Sequence, residues 1–498
     1  MTYLTLQTDD VPALAQVIQT EYRLDELVQL SPLADGAMPT VRVADQRIEL
    51  PPDWSNSVPP VLLPRPLAFT PHNLLAVVFG RLGNWEKAYE YARHVRPLAD
   101  ALDLMNRLQA GVALTAPARP VNGRGTFETY QRWHNRAVAL HYGDAAAEAT
   151  TDADVAEAYR TALTHAPDAE HRAFTTKHYA TLLLDAGRLS DADRAVGDAD
   201  QADLTETAHI ELLAVRYAIW LQQLTVPYDP ALLTQTKEAL WQVMRHYEAQ
   251  HRNEQVALLL IDAAQVANFS NSFAEALGYI NRAIGLLRAE DLPELLANAQ
   301  YRKGVLLYTW AQSGNPQFYR PAMEAYQDAL KVFTQQNAPA VFADIQHHLG
   351  VIYAEIPDDA KKKSIWAAVS SSSFQQALAY YTKGEFPYEY ATICNHYANA
   401  LTKYPPAARS DNYARAIALY RDALRIRTAA DYPYERALTI LNYVEAGWYV
   451  GEEDPLIQRS LYDDLLDKVR EVPTLVTDEG LIREAQNHLT RLQTITLA

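Results

Sequence analysis

The sequence predicts an all-α protein, a superhelix built from stacked helical hairpins. The first observation is a unit that occurs twice in residues 374–449: a helix, a Pro-Tyr-Glu turn, and a second helix that carries an asparagine. Pro387 and Pro433 are 46 residues apart, and Asn395 and Asn442 are 47 residues apart. A period in this range is typical of stacked helical hairpins, because one hairpin cannot bury its apolar face alone.

The second observation is that two more copies precede these two in the same phase. Pro339 lies 48 residues before Pro387, and Gly304 lies 46 residues before Gly350. The third is the composition, in which Gly is only 18 and Tyr is 30 of 498 residues. A stack of hairpins grows by adding units, so this length predicts a right-handed superhelix of about eight or nine hairpins.

The charge and the cysteine content disfavour several classes of protein. The formal net charge is −17, from 44 basic and 61 acidic side chains, which argues against binding to nucleic acid or to an anionic membrane. The single cysteine allows no internal disulfide. The N-terminus has no basic segment followed by an apolar run, and no uncharged apolar stretch has the length of a membrane span. We therefore expect a soluble, cytoplasmic protein.

The N-terminal 70 residues differ in kind from the rest. Asp9 and Asp10 precede Val-Pro, an N-cap signal that predicts a helix through about Leu30. Residues 31–70 are rich in proline, and we expect a small β-hairpin at 41–50 with the remainder extended.

Two roles are open for this N-terminal segment. A linker or cap is favoured over a functional arm, because the first hairpin would otherwise expose an apolar face. In the capping interpretation, Val61, Leu62, Leu63 and Leu67 pack on that hairpin. In the rival interpretation, the arm lies in the groove of the array until a partner displaces it.

Helical hairpins are expected from residue 71 onward. "PHNLLAVVFGRLGNWEKAYEYARHV" and "AFTTKHYATLLLDAGRLSDADRAV" place small residues where two helices cross and glycine (Gly83, Gly187) at the turn. This pattern resembles the tetratricopeptide repeat over residues 71–450, and residues 451–498 read as C-terminal capping helices. The later, longer units are similar to bacterial helical arrays found with caspase-like peptidases or signalling modules. No peptidase domain is visible in this sequence.

One stretch interrupts the repeat. Residues 357–373, "PDDAKKKSIWAAVSSSS", have no counterpart in the adjacent units. Lys and Ser bury too little apolar area to offset the entropy of ordering. We therefore predict a mobile projection that leaves the packing of the array unaffected.

The sequence contains no recognisable catalytic constellation. Cys394 and His396 invite a nucleophile–base interpretation, but residues two apart on a helix point in nearly opposite directions. No Walker lysine motif, G-x-S-x-G elbow or His-Glu-x-x-His motif occurs. We predict a protein that is not an enzyme and holds no cofactor or metal. The histidines that come nearest to a ligand set are His134, His141, His347 and His348.

Candidate partner-binding residues follow from the repeat alignment. In tetratricopeptide arrays the first helix of each hairpin lines the concave surface, and the resemblance implies the same here. Positions three and six residues before the aligned Gly304, Gly350, Ala398 and Glu445 lie on one helix face. We call these positions the polar row: Asn298, Tyr301, Asp344, His347, Thr392, Asn395, Thr439 and Asn442. Asn donates and accepts together, which suits the backbone of an extended peptide, although the same side chains could instead bridge adjacent repeats.

These features lead to one main functional hypothesis and two rivals. The main hypothesis is a non-catalytic scaffold or adaptor that holds a peptide or helix of another protein, with a neutral or basic segment expected from the net charge. The first rival is a ligand- or peptide-responsive sensor, a regulatory subunit of a signalling or peptidase system. The second is a hydrolase whose site escapes recognition.

Overall fold

The structure is a computed structural model that describes residues 4–33, 41–55, 58–114, 126–143, 151–225, 228–406, 411–451 and 454–494. The chain divides into two compact units, Met1–His246 and Tyr247–Ala498. Each unit is built around its own helices, and they are described in turn.

The first unit opens with a five-stranded sheet of order β2-β1-β3-β4-β5. β1 runs parallel to both β2 and β3, and the remaining pairs are antiparallel. The inward-facing positions are apolar and form one core with the first helical hairpin. The strands are β1 (Leu4–Thr8), β2 (Val28–Pro32), β3 (Val41–Ala44), β4 (Arg47–Glu49) and β5 (Leu67–Ala68).

The sheet corrects one prediction and confirms another. The helix expected to reach Leu30 ends at Ile18, and the chain after it forms β2. The reason is tertiary, because β2 pairs with β1 across the short helix and buries Val28. The hairpin at 41–50 is confirmed as β3 and β4. Asp45 and Gln46, at φ 51° and 60°, form the two-residue turn between them.

The other elements of the first unit are helices that mostly pack as consecutive pairs. Successive helices α2 and α3, α5 and α6, and α7 and α8 form hairpins. The helices are α1 (Val11–Ile18), α2 (Pro71–Arg81), α3 (Trp85–Ala92), α4 (Arg96–Gln109), α5 (Thr126–Tyr142), α6 (Asp152–Thr164), α7 (Ala169–Asp185), α8 (Leu189–Ala199), α9 (Glu206–Gln223) and α10 (Pro230–Ala249), which reaches the division between the units.

The described residues of the second unit form a series of helical hairpins. The tightest pairs are α11 with α12, α13 with α14, α15 with α16, and α17 with α18, followed by α19 with α20. First helices of successive hairpins also touch one another, from α11 to α19. The helices are α11 (Asn253–Phe269), α12 (Phe273–Ala289), α13 (Pro293–Gln312), α14 (Tyr319–Ala329), α15 (Pro339–Glu355), α16 (Ala360–Tyr380), α17 (Pro387–Lys403), α18 (Asn412–Ile426), α19 (Pro433–Gly447), α20 (Pro455–Leu475) and α21 (Glu479–Gln493).

The predicted array of helical hairpins is therefore confirmed for the described residues beyond 70. The sheet at the N-terminus is an addition that the sequence only partly indicated. Within the described ranges, none of the helices combines the length and the apolar composition that a bilayer crossing needs.

Two long hairpins of the second unit, α13 with α14 and α15 with α16, close on a glycine of the first helix. A Cβ atom built on Gly304 would lie 2.6 Å from the ring of Tyr326, and one on Gly350 would lie 3.0 Å from the ring of Phe374. Both rings are fully buried. The aromatic ring of the second helix thus occupies the space that a side chain on the first helix would need.

The mobile projection predicted at 357–373 is wrong. Helix α16 begins at Ala360, and the Trp366 ring stacks on Tyr353 with centroids 5.4 Å apart. Ser370 is fully buried and donates its hydroxyl to the carbonyl of Gly350. The stretch is ordered because Ser370 and Trp366 contact the facing helix, and the extra residues lengthen the second helix of this hairpin.

Replacing Gly304 with alanine tests the closing contact. The added methyl group overlaps the buried ring of Tyr326, and we expect a loss of about 1–3 kcal/mol, which is typical of overpacking. Gly285→Ala is the matched control, because Gly285 lies in the exposed face of α12 with no atom near its Cβ position. That control should gain about 0.5–1 kcal/mol from helix propensity. Thermal melting followed by circular dichroism separates the two, and a Gly304→Ala protein as stable as the parent contradicts the contact.

Candidate functional site

The structure places the polar row on four successive first helices of the second unit. α13, α15, α17 and α19 each carry two of its members. Asn395 and Thr439 are buried, at 7% and 0% exposure, and the other six are half-buried. Thr439 is bonded to Arg427, which follows α18 in the preceding hairpin.

Asp344 of the polar row accepts a hydrogen bond from a tyrosine hydroxyl. The hydroxyl of Tyr381, which follows α16, donates to Asp344 Oδ1 at 2.7 Å. Burial raises the pKa of Asp344, and the nearby Glu389 adds to that effect. Tyr301, one hairpin earlier, packs its ring 6.2 Å from Tyr326. These side chains present phenol and carboxyl groups close together in a shielded place.

A pair of histidines joins α15 to α17. His347 Nε2 and His396 Nδ1 are 2.8 Å apart, so one ring donates and the other accepts. Burial, with the nearby Arg427 guanidinium, lowers the pKa of His396 to about 4. Burial also lowers the pKa of His347 well below its ordinary value. Both rings are therefore neutral near pH 7, and His347 bridges repeats as well as lining the row.

Sequence reasoning missed Arg427, the residue that joins α17 to α19. It follows α18, and its guanidinium donates from Nη1 to Thr439 Oγ1 at 2.8 Å and from Nη2 to Thr392 Oγ1 at 3.1 Å. The repeat contained a signal, because Arg427 lies 46 residues after Tyr381, the same spacing as between the repeat prolines. Tyr381 and Arg427 occupy one position of the repeat, and each reaches the polar row.

The asparagines of the row have unmet hydrogen-bonding capacity. Asn395 Oδ1 is buried and has no partner. The half-buried side chains of Asn298 and Asn442 make no hydrogen bond within the described part of the chain. Three first helices thus each present an amide that is not fully bonded.

In the first unit, the chain's own extended arm lies against a first helix. Asn135 of α5 accepts from the Leu62 amide at 2.8 Å and donates to the Leu62 carbonyl at 2.8 Å. Gln131 also donates to that carbonyl, and His134 bonds to the carbonyl of Pro60. A helix-borne asparagine therefore holds both backbone groups of one extended residue.

The side chains of the arm reach other helices of the same unit. Trp54 donates to Glu170 of α7 at 2.9 Å, and its ring contacts Phe174. Of the residues predicted to cap the first hairpin, Val61, Leu63 and Leu67 share a core with α2, whereas Leu62 packs with α5. The arm thus combines apolar packing with a polar contact of the kind expected for a bound peptide.

The remaining candidate residues for catalysis or metal binding are buried or hydrogen-bonded to neighbouring residues. Cys394 is buried, and burial raises the pKa of its thiol to about 11, so the thiol is protonated near pH 7. His134 is fully buried between Thr175 and the arm, and His141 bonds to Tyr159. Among the residues that the structure describes, no three His, Cys, Asp or Glu side chains are grouped as a metal would require.

No protein-family description and no curated protein matches the sequence. Solved structures that are similar include the TPR domain of P58(IPK), with 14% identity, 85% of this chain and 97% of that chain covered, and a TM-score of 0.24. Human IFIT1, as a dimer with PPP-AAAA, shares 17% identity over 85% of this chain and 89% of its own, with a TM-score of 0.29.

Yeast Tom70 shares 14% identity over 84% of this chain and 95% of its own, with a TM-score of 0.24. TM-scores this low do not establish a shared fold or function. The assignment of the fold rests on the helices and their packing.

The buried histidines predict a pH-dependent stability. Burial lowers the pKa of His348 from 6.5 to about 4, so the unfolded chain binds this proton first as the pH falls. Stability is then fully present above pH 6.5 and is lost between that value and about pH 4. Each such histidine contributes a slope of at most about 1.4 kcal/mol per pH unit.

The variant His348→Gln isolates one of these groups. It removes the imidazole that bonds to the Tyr326 hydroxyl at 2.9 Å, and it cannot titrate. We expect its thermal midpoint to fall less steeply than that of the parent between about pH 7 and pH 5. His94, which is exposed, provides the control His94→Gln. Parallel profiles for parent and His348→Gln would contradict the buried, neutral state.

Proposed function

We propose that this protein is a non-catalytic scaffold whose second unit holds an extended segment of another protein along the polar row. The observation that carries the proposal is the set of incompletely bonded amides on α13, α17 and α19. A buried or half-buried amide without a partner is unfavourable, and a peptide backbone supplies both the donor and the acceptor that it lacks.

The first unit supports this mode of binding. Asn135 holds the amide and the carbonyl of Leu62 together, on the first helix of a hairpin. The asparagines of the polar row occupy first helices of the same kind of hairpin in the second unit. The chain thus contains a working example of the contact that we propose for a partner.

The character of the row favours an extended segment over a docked helix. A helix satisfies its own backbone groups and offers mainly side chains. An extended strand leaves its amides and carbonyls free to bond to asparagine. A segment that is neutral or basic overall suits the net charge of −17.

The test combines partner capture with substitutions in the row. The full chain is used to capture proteins from its native cell, and the affinity of the purified partner is measured for Asn298→Ala and Asn442→Ala. Both side chains are half-buried and unpaired, so stability should change by no more than about ±0.5 kcal/mol. Binding should weaken by about 1 kcal/mol or more for each.

Asn281→Ala is the matched control, because Asn281 is an exposed asparagine on α12, a second helix. It should leave both stability and affinity unchanged. Unchanged affinity in both row variants would refute the assignment of the row. Recovery of a small molecule or a short signalling peptide in place of a protein partner would favour the sensor, and turnover of a substrate panel by pure protein would favour a hydrolase.

A further inference from the structure

One buried guanidinium in the second unit, that of Arg427, bonds to no carboxylate among the described residues, and the Glu435 carboxylate acts on it only from beyond bonding distance. The first unit offers a comparison, because the buried side chains of Lys177 and Glu211 pair with each other at 2.6 Å. Arg427, at 5% exposure, makes no ion pair with any carboxylate in the described part of the chain. Its Nε–H also lacks an acceptor. Burying an unpaired charge is unfavourable, and such charges in proteins are normally paired.

A neighbouring arginine shows what full pairing looks like in this fold. Arg436, on α19, makes two bonds to the Glu471 carboxylate at 2.6 and 2.9 Å. It also donates to the carbonyls of Leu424 and Arg427. The second unit therefore supplies a carboxylate to one buried guanidinium and leaves the next without one.

The two acceptors that Arg427 does have are easily exchanged. The Thr392 hydroxyl donates to the carbonyl of Tyr388 at 3.0 Å, and the Thr439 hydroxyl donates to that of Glu435 at 2.7 Å. Both hydroxyls keep these bonds if the guanidinium turns away. A carboxylate would replace neutral acceptors with a charge-assisted bond, which is stronger.

Helix α17, to which Arg427 bonds through Thr392, also carries an unmet acceptor. Asn395 Oδ1, buried and unpartnered, is one helical turn from Thr392 on α17. A simple anion could satisfy Arg427 but has no N–H group for Asn395. An acidic residue within a peptide offers both a carboxylate and a backbone amide.

We infer that Arg427 and Asn395 form a subsite for an aspartate or glutamate of the bound segment, with the carboxylate on Arg427 and a peptide N–H on Asn395. This inference rests on the proposed function and adds a residue preference to it. Tyr388, at 42% exposure, lies at the start of α17, and its ring centroid is 5.4 Å from that of the half-buried Tyr432, just before α19. A segment that is neutral or basic overall therefore carries one acidic residue at this point.

The test selects short random peptides on the immobilised full chain. The parent and Arg425→Met should enrich peptides with an acidic residue at a fixed position, and Arg427→Met should not. Arg425 is the matched control, since it belongs to the same hairpin but is exposed and pairs with Asp422. For a selected peptide, changing its acidic residue to the amide should weaken binding to the parent about tenfold or more, and to Arg427→Met less than about twofold.

The outcomes separate this inference from the function beneath it. Peptides that depend on Asn442 but show no acidic preference would overturn the subsite and leave the scaffold. Failure to select any peptide would overturn both. If Arg427→Met does not fold, as judged by circular dichroism, the acid-to-amide change on the parent alone decides, and equal affinities refute the subsite. A purely structural Arg427 predicts altered melting with unchanged peptide selection.

Discussion

The close crossing of two helices at a glycine is the contact on which the second unit depends. At Gly304 and Gly350 the first helix has no side chain, and the rings of Tyr326 and Phe374 fill that space from the second helix. Gly447 receives Leu465 in the same way. The contact sets the distance between the two helices of these hairpins. Members of the polar row lie three and six residues before Gly304 and Gly350, beside the crossing, and one of them, Tyr301, packs its ring 6.2 Å from that of Tyr326.

The repeat also carries polar contacts from one hairpin to the next. Tyr381 and Arg427 occupy one position of the repeat, and the row residues that they reach, Asp344 and Thr392, are separated by the 48 residues of a repeat. The same geometry therefore supports a phenol that donates to a carboxyl group in one place and a buried cation in the next. Divergence at one repeat position changes the local charge without changing the backbone.

The repeat made much of this fold predictable, and the exceptions have physical causes. The hairpins from α11 to α19 follow from spacings of 46 to 48 residues, which are local in sequence. Strand β2 was missed because its partner β1 lies more than twenty residues away in the chain, and helical signals at Asp10 hid it. The docking of Trp366 on Tyr353 was missed because the prediction rested on the lysine and serine content of the stretch. Composition does not show which residues of the facing helix a side chain reaches. The repeat spacing puts Arg427 at the position of Tyr381, but only the structure shows that its guanidinium is buried with an unpartnered Nε.

The arm on α5 has a consequence for the order in which the protein is made. Leu62 bonds to Asn135, 73 positions further along the chain, and Trp54 bonds to Glu170, 116 positions further along. A ribosome releases the arm well before either helix exists, so its apolar residues emerge without their binding surface. Contacts at such separations form late, because a long loop must close first. The arm therefore takes its final place only after α7 has left the ribosome, and chaperones have that interval in which to bind it.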